Sequence, residues 1–223
     1  RLSGFFLFLY ELNYYLEYMK TINTLIACLV MLSACCQAPE NTQTMENGTI
    51  ETIMTRRSIR KYKPETVSRE ILQEIIKCGI FAPSGENKQS WEVRIVDNPV
   101  LMEEIKDAIA AGHPDMPADA ANGCFRGAPV VAFIARELSY PFSAFDCGLM
   151  AQNMMLAAKS LGVGSICLGR PVLFLTDNEV CKPVIEKFGF SEGYEFCLCV
   201  GFGYADETPQ VKPRNMEKVK FMD

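Results

Sequence analysis

Apolar residues Ile71, Leu72, Ile75, Ile76 and Ile80 recur three and four positions apart, which is the stripe of an amphipathic helix. Ser68 stands where its hydroxyl can cap the first turn, and Gly79 and Pro83 mark the end. Trp91, Val93 and Ile95 then alternate with Glu92 and Arg94, the period of a half-buried strand. Asp97-Asn98-Pro99 turns the chain into a helix through Ala111. Residues 129–135 are apolar throughout and bounded by proline and charge, which predicts a strand buried on both faces. Ser143-x-x-Asp146 reads as the capped start of a long helix through Leu161. Leu149, Met150, Met154, Met155, Leu156 and Ala157 leave that helix little polar surface, so it belongs in the core or at a subunit interface. Thr176-x-x-Glu179 predicts a capping box before a short helix, and residues 194–204 a last long strand. Helices and strands in this order make an α/β (α+β) fold, a mixed sheet sandwiched by helices.

The first fifty residues break this rhythm. The sequence opens on Arg1, and Met19 is its first methionine, the expected start of translation. From there Lys20 forms a positive n-region, Leu25 to Leu32 an apolar h-region, and Leu32-Ser33-Ala34-Cys35 a small-residue cleavage site. This resembles a bacterial lipoprotein signal peptide, and the resemblance implies cleavage before Cys35 and acylation of its thiol. The apolar stretch is shorter than the roughly 20 residues a bilayer span needs. The expected organisation is an upstream segment at 1–18, a signal peptide at 19–35, a polar tether at 36–50 and a globular domain at 51–223.

At 49% hydrophobic and 22% charged residues over 223 positions, the chain has the composition of a globular protein. A net charge of -5 argues against a general nucleic-acid binder. Ten cysteines would suit an exported disulfide protein. Yet Cys78, Cys124, Cys147, Cys167, Cys181, Cys197 and Cys199 lie scattered among apolar residues, as small buried hydrophobes do. Cys197 and Cys199 would share one strand face. With one histidine, His113, and no metal-type spacing, zinc and triad chemistry are disfavoured.

Against the acidic balance stands Arg56-Arg57-Ser58-Ile59-Arg60-Lys61-Tyr62-Lys63, five cations and a hydroxyl in eight residues. Guanidinium forks with a serine suit a phosphate, and Lys212-Pro213-Arg214 offers two more cations near the other terminus. A solvated basic face or a nucleic-acid or membrane patch is the alternative reading of such a run. Residues 82–90 place turn formers and side-chain amides on a helix-to-strand turn. Gly162-x-Gly164-x-x-Cys167 lacks the third glycine of a dinucleotide fingerprint and follows a helix where that motif follows a strand, so it is not a Rossmann site.

Arg56-Arg57-Ser58-Ile59-Arg60, Ala82-Pro83-Ser84 through Gln89-Ser90-Trp91, Gly162-Val163-Gly164-Ser165 and Lys212-Pro213-Arg214, in this order, resemble the FMN-dependent nitroreductase family in its shorter form. The resemblance covers about Glu51 to the C-terminus. It implies a homodimer with FMN at the interface. By position, Arg56, Arg57, Ser58 and Arg60 match the segment that grips the FMN phosphate and ribityl chain, and Lys212 and Arg214 the C-terminal phosphate pair. Pro83, Ser84 and Gly85 match a loop laid along the isoalloxazine by the partner subunit, with Asn87 and Gln89 as its polar contacts. Cys167, Leu168 and Gly169 match the strand end that covers the other side of the ring. The family typically carries a second small residue or serine where Gly85 stands, and proline where Ser90 stands.

The implied activity passes two electrons from NAD(P)H through FMN to a flat small-molecule acceptor such as a nitroaromatic or quinone, with no side chain acting covalently. Other FMN reactions on the same scaffold, such as dehalogenation, enone reduction or flavin fragmentation, would differ in a lid expected at residues 113–125. A flavin-binding lipoprotein without turnover is the reading from a different class. The leader implies anchoring outside the cytoplasm through Cys35, whereas the nicotinamide and flavin imply a cytoplasmic enzyme. Both readings stay open at this level.

Overall fold

The computed structural model describes residues 48–117, 119–176 and 178–222, together with 19, 20 and 22. The cleavage site, Cys35 and the tether up to residue 47 lie outside the described residues. A compact unit spans Asn47–Asp223. Its first element, α1 (Gly48–Thr55), begins inside the stretch expected to be tether.

Four strands form the sheet: β1 (Trp91–Val96), β2 (Val130–Glu137), β3 (Gly164–Leu168) and β4 (Tyr194–Gly203). Their order is β1-β2-β4-β3 and every pair is antiparallel. Among the described residues the sheet is mixed through one parallel bridge, Ser58 to Ser165, which lays the basic segment along the free edge of β3. β2 is central, and Val130 to Ala135 are all buried, which is why its sequence does not alternate.

Helices α2 (Arg69–Ile80) and α5 (Ser143–Ser160) cover one face. Ser68 caps α2 as its position predicts, accepting from the N–H of Ile71. A Cβ added to Gly79 would fall 2.5 Å from Met154 Cγ, so this glycine lets α2 seat directly on α5. Met150 and Met154 are core residues under that contact. On the other face pack α3 (Pro99–Gly112), α4 (Ala120–Cys124), α6 (Arg170–Thr176) and α7 (Lys182–Glu186), around Phe125, Phe133, Phe188 and Phe196.

Three local expectations are overturned. α5 starts at Ser143 without a side-chain cap, and Asp146 turns away from the helix end. Thr176 does not cap the turn after α6; it donates back to the Val172 carbonyl, and Asn178 caps the 3₁₀ turn Glu179–Cys181 instead. Cys197 and Cys199 face opposite sides of the sheet, Cys197 towards α5 and Cys199 into the phenylalanine core. A bulge between Ile134 and Ala135 pairs them with Leu198 and Phe196, so Cys197 is the extra residue that inverts the alternation. The expected lid is also shorter than 113–125, because Cys124 and Phe125 are buried and Phe125 packs on Phe133 at a centroid distance of 6.0 Å. His113 ends α3 with Nε2 2.8 Å from the Phe174 carbonyl oxygen.

Candidate active site

The basic segment leaves α1 and is fixed by its backbone. The Ile59 N–H donates to the Ser165 carbonyl at 3.0 Å, Lys63 N–H to Tyr204 O at 2.9 Å, and the Arg60 N–H to the Glu207 carboxylate. Arg56, Arg57 and Ser58 are half-buried there, and Arg60 is exposed. Arg57 folds back so that Nη1 donates to the carbonyls of Met54 and Arg56, each at 2.7 Å, closing the C-terminal end of α1. Of the run, Arg57 is thus occupied by its own helix. Arg60 Nη1 is turned to the Ser58 carbonyl at 3.0 Å.

Arg56 is different. Among the described residues its Nη1, sealed from solvent, has no partner, and the hydroxyl of fully enclosed Ser165 is likewise unpartnered. Burial, and then the charges of Arg57 and Arg214, press its pKa below the ordinary guanidinium value. Arg214 is near enough for its charge to act on Arg56, and Lys212, two residues before it, is exposed. A cleft of about 390 Å³ opens beside this cluster, with Arg56, Arg57, Lys159, Ser165 and Thr208 among its lining. A buried donor left unmade costs about 1–3 kcal/mol, more when charged. Crowded cations with unmade donors fit an anion with several acceptor oxygens, as the phosphate of FMN is.

On the same edge β3 ends in Cys167, Leu168 and Gly169. Cys167 is exposed and close to Arg56, whereas the Leu168 side chain lies in the core, away from the open edge. Although the residue is exposed, the protein packed around its sulfur partly desolvates it and raises the Cys167 thiol above its usual range despite the attraction of Arg56.

The turn-rich loop is built on opposite principles. Ser84 Oγ accepts from the Gln89 N–H at 3.1 Å, and Gly85–Asn87 form a 3₁₀ turn. Glu86, Asn87 and Gln89 hold φ of +52°, +55° and +51°. Asn tolerates this conformation, but Glu86 and Gln89 each give up about 1–2 kcal/mol. The Asp146 carboxylate, only 3% exposed, offsets that strain by accepting from the Gly85 N–H at 3.0 Å and the Ser90 hydroxyl at 2.6 Å. Each such charge-assisted bond is worth about 1.5–3 kcal/mol. A Cβ at Gly85 would meet Tyr140 Oη at 2.0 Å, so the glycine is required by the tyrosine beneath it. Pro83, Asn87 and Gln89 are exposed above.

Within one chain these two halves do not meet. Trp91 pairs with Arg136 and Arg136 with Glu195, so the loop enters at that end of the β1 edge. Ser165 pairs with Phe202 and Phe202 with Val130, which puts the basic segment at the other end and on the β3 edge. The offset is roughly 14 Å across the strands and about 20 Å along them. The sequence therefore names residues on diagonal corners of one sheet. It misses Asp146 as the loop's anchor, because its position reads as a helix cap, it quotes Ser165 within a motif without assigning it to the site, and it misses Tyr140 and Glu207, which carry no local signal.

The cation cluster at one edge of this sheet is chemically suited to a phosphorylated ligand. Residues 53–204 match the Nitroreductase family, and the chain belongs to it. It is 33% identical over 175 residues to the NADPH-flavin oxidoreductase of Vibrio harveyi, covering 75% of this chain and 70% of that protein. Its fold superposes on the crystal structure of a nitroreductase with bound FMN from Desulfitobacterium hafniense with a TM-score of 0.71 and 32% identity, over 79% and 99% of the two chains. The nitroreductase with bound FMN from Bacteroides fragilis gives the same TM-score at 26% identity, over 79% and 100%.

Proposed function

We propose that the chain is an FMN-dependent oxidoreductase that takes two electrons from NAD(P)H and delivers them to a flat small-molecule acceptor such as a nitroaromatic or a quinone. The observation that carries this reading is the Arg56 guanidinium, crowded by Arg57 and Arg214 and left with an unmade buried donor. When bound, FMN supplies the redox chemistry, accepting hydride and releasing electron pairs from one ring. Arg56, Ser58, Arg60, Lys212 and Arg214 would hold the phosphate and ribityl end, and the exposed edge at Cys167 and Gly169 would flank the ring. These cations would balance the charge of the FMN phosphate.

The working unit is a homodimer in this reading. The diagonal separation of loop and basic segment is its main support, since a second copy of the loop is needed to reach the cation cluster. An exposed apolar face agrees: Phe81, Phe142, Phe145 and Leu149 stand in solvent around the start of α5. Purified full-length protein tests the assignment by its visible spectrum before and after NADPH without oxygen. An oxidised-flavin spectrum that bleaches supports it, and no flavin after reconstitution would overturn it.

The leader pattern around Lys20 and Leu32-Ser33-Ala34-Cys35 supports a further part of the proposal, that the enzyme is tethered outside the cytoplasm through an acylated Cys35. Intact mass of the cell-derived protein decides it. A chain starting at an acylated Cys35 fits the tether, and one retaining earlier residues without an acyl chain places the enzyme in the cytoplasm.

A further inference from the structure

We infer that Asp146 is a positioning residue for the flavin: its buried carboxylate, gripping Gly85 and Ser90, sets the shape of the loop that lies on the ring. The inference rests on the proposal that this loop faces FMN. Asp146 lies in the first turn of α5, where a carboxylate ordinarily serves the helix end. Here both oxygens point away from it. Oδ1 accepts from the Gly85 N–H and Oδ2 from the Ser90 hydroxyl, so one side chain holds the two ends of a turn whose interior is strained at Glu86 and Gln89. Tyr140 closes the underside against Gly85, and Lys88 Nζ sits 5.1 Å from the Tyr140 ring centroid. The exposed amides of Asn87, at the end of the single 3₁₀ turn, and of Gln89, beyond it, take their direction from this frame.

Ser90 gives the arrangement a local origin. Ser90 is fully buried and its hydroxyl donates to Asp146 where the loop passes into β1. Their contributions are one contribution, not two.

The test uses the holoenzyme and four substitutions, with FMN dissociation followed by flavin fluorescence and the midpoint potential of the bound flavin as a second readout. Asp146→Asn should raise the FMN dissociation constant by about tenfold or more and move the potential towards that of free FMN, the scale of one lost charge-assisted bond. Ser90→Ala should give a smaller change of the same kind, Ser90→Thr should restore it, and Asp146→Asn with Ser90→Ala should be no worse than Asp146→Asn alone. Asn87→Ala tests the underlying reading: unchanged affinity and potential would mean that the loop does not face FMN, and the inference would fall with it. If Asn87→Ala alters the flavin but Asp146→Asn and Ser90→Ala do not, or if their losses add, the loop reading stands and the role of Asp146 is refuted. Ser90→Ala keeps the test open should Asp146→Asn fail to fold.

Discussion

The two corners of the sheet are finished to different degrees. At the β1 edge the loop is complete before any ligand arrives, with strained φ angles held by a buried carboxylate whose bonds are made. At the β3 edge the backbone is equally well fixed, but Arg56 Nη1 and Ser165 Oγ are left unmade among like charges. A surface that contacts a flat ring gains from being rigid in advance. A surface that holds a phosphate must keep donors in reserve, and those donors destabilise the protein until the anion comes. Ligand binding is therefore expected to stabilise the β3 corner far more than the β1 corner.

That contrast breaks most visibly at Arg56. Arg56→Ala should weaken FMN binding by about 3 kcal/mol, roughly a hundredfold, in a fluorescence titration. An unchanged dissociation constant would remove the cation cluster from the site. Gly85→Ala should lower apoprotein stability by about 1–3 kcal/mol, because the new methyl overlaps Tyr140 Oη. Tyr140→Phe in the same chain should return most of that loss, and equal melting temperatures for the two would show that the tyrosine is not the obstacle. Ser165→Ala should act with opposite signs in the two states. Freed of an orphaned hydroxyl, the apoprotein should melt about 2–4 °C higher, while FMN should bind less tightly.

The smallest effect lies beside Asp146. The neighbouring Cys147 thiol and the charge of Arg136 hold the Cys197 pKa below the ordinary thiol value. Labelling by iodoacetamide should accordingly rise at a lower pH than for a free thiol, whose value is about 8.5, and Cys147→Ala should move the midpoint up. Because the folded pKa is the lower one, this thiolate adds stability that is fully present above the ordinary thiol value and is lost as the pH falls through the depressed one. A midpoint already near the ordinary value in the parent protein would show that the start of α5 does not sit on the bulge of β4 in solution.

Much of this was readable from residue order. The stripe of α2, the all-apolar β2 and the Met-rich α5 follow from burial alone, and burial is what periodicity reports. The basic segment and Arg214 were legible because charge in an acidic chain needs a reason. What escaped depended on contacts between distant segments. Asp146 has the spacing of a cap, yet its partners lie 61 and 56 positions earlier. The bulge at Cys197 inverts an alternation that sequence can only extend, and the closing of α1 by Arg57 Nη1 depends on backbone geometry that residue order does not carry.

The diagonal layout of the sheet has a genetic corollary. If each flavin is gripped by one chain and covered by the other, the two kinds of defect belong to different sites in a mixed dimer. Pairing a chain lacking Arg56 with a chain whose loop is broken leaves one pocket with both faults and the other with none. Two inactive homodimers, unfolded together and reassembled, should then recover up to about a quarter of wild-type activity under random pairing, since half the dimers are mixed and each has one whole site. Defects confined to a single corner would never complement.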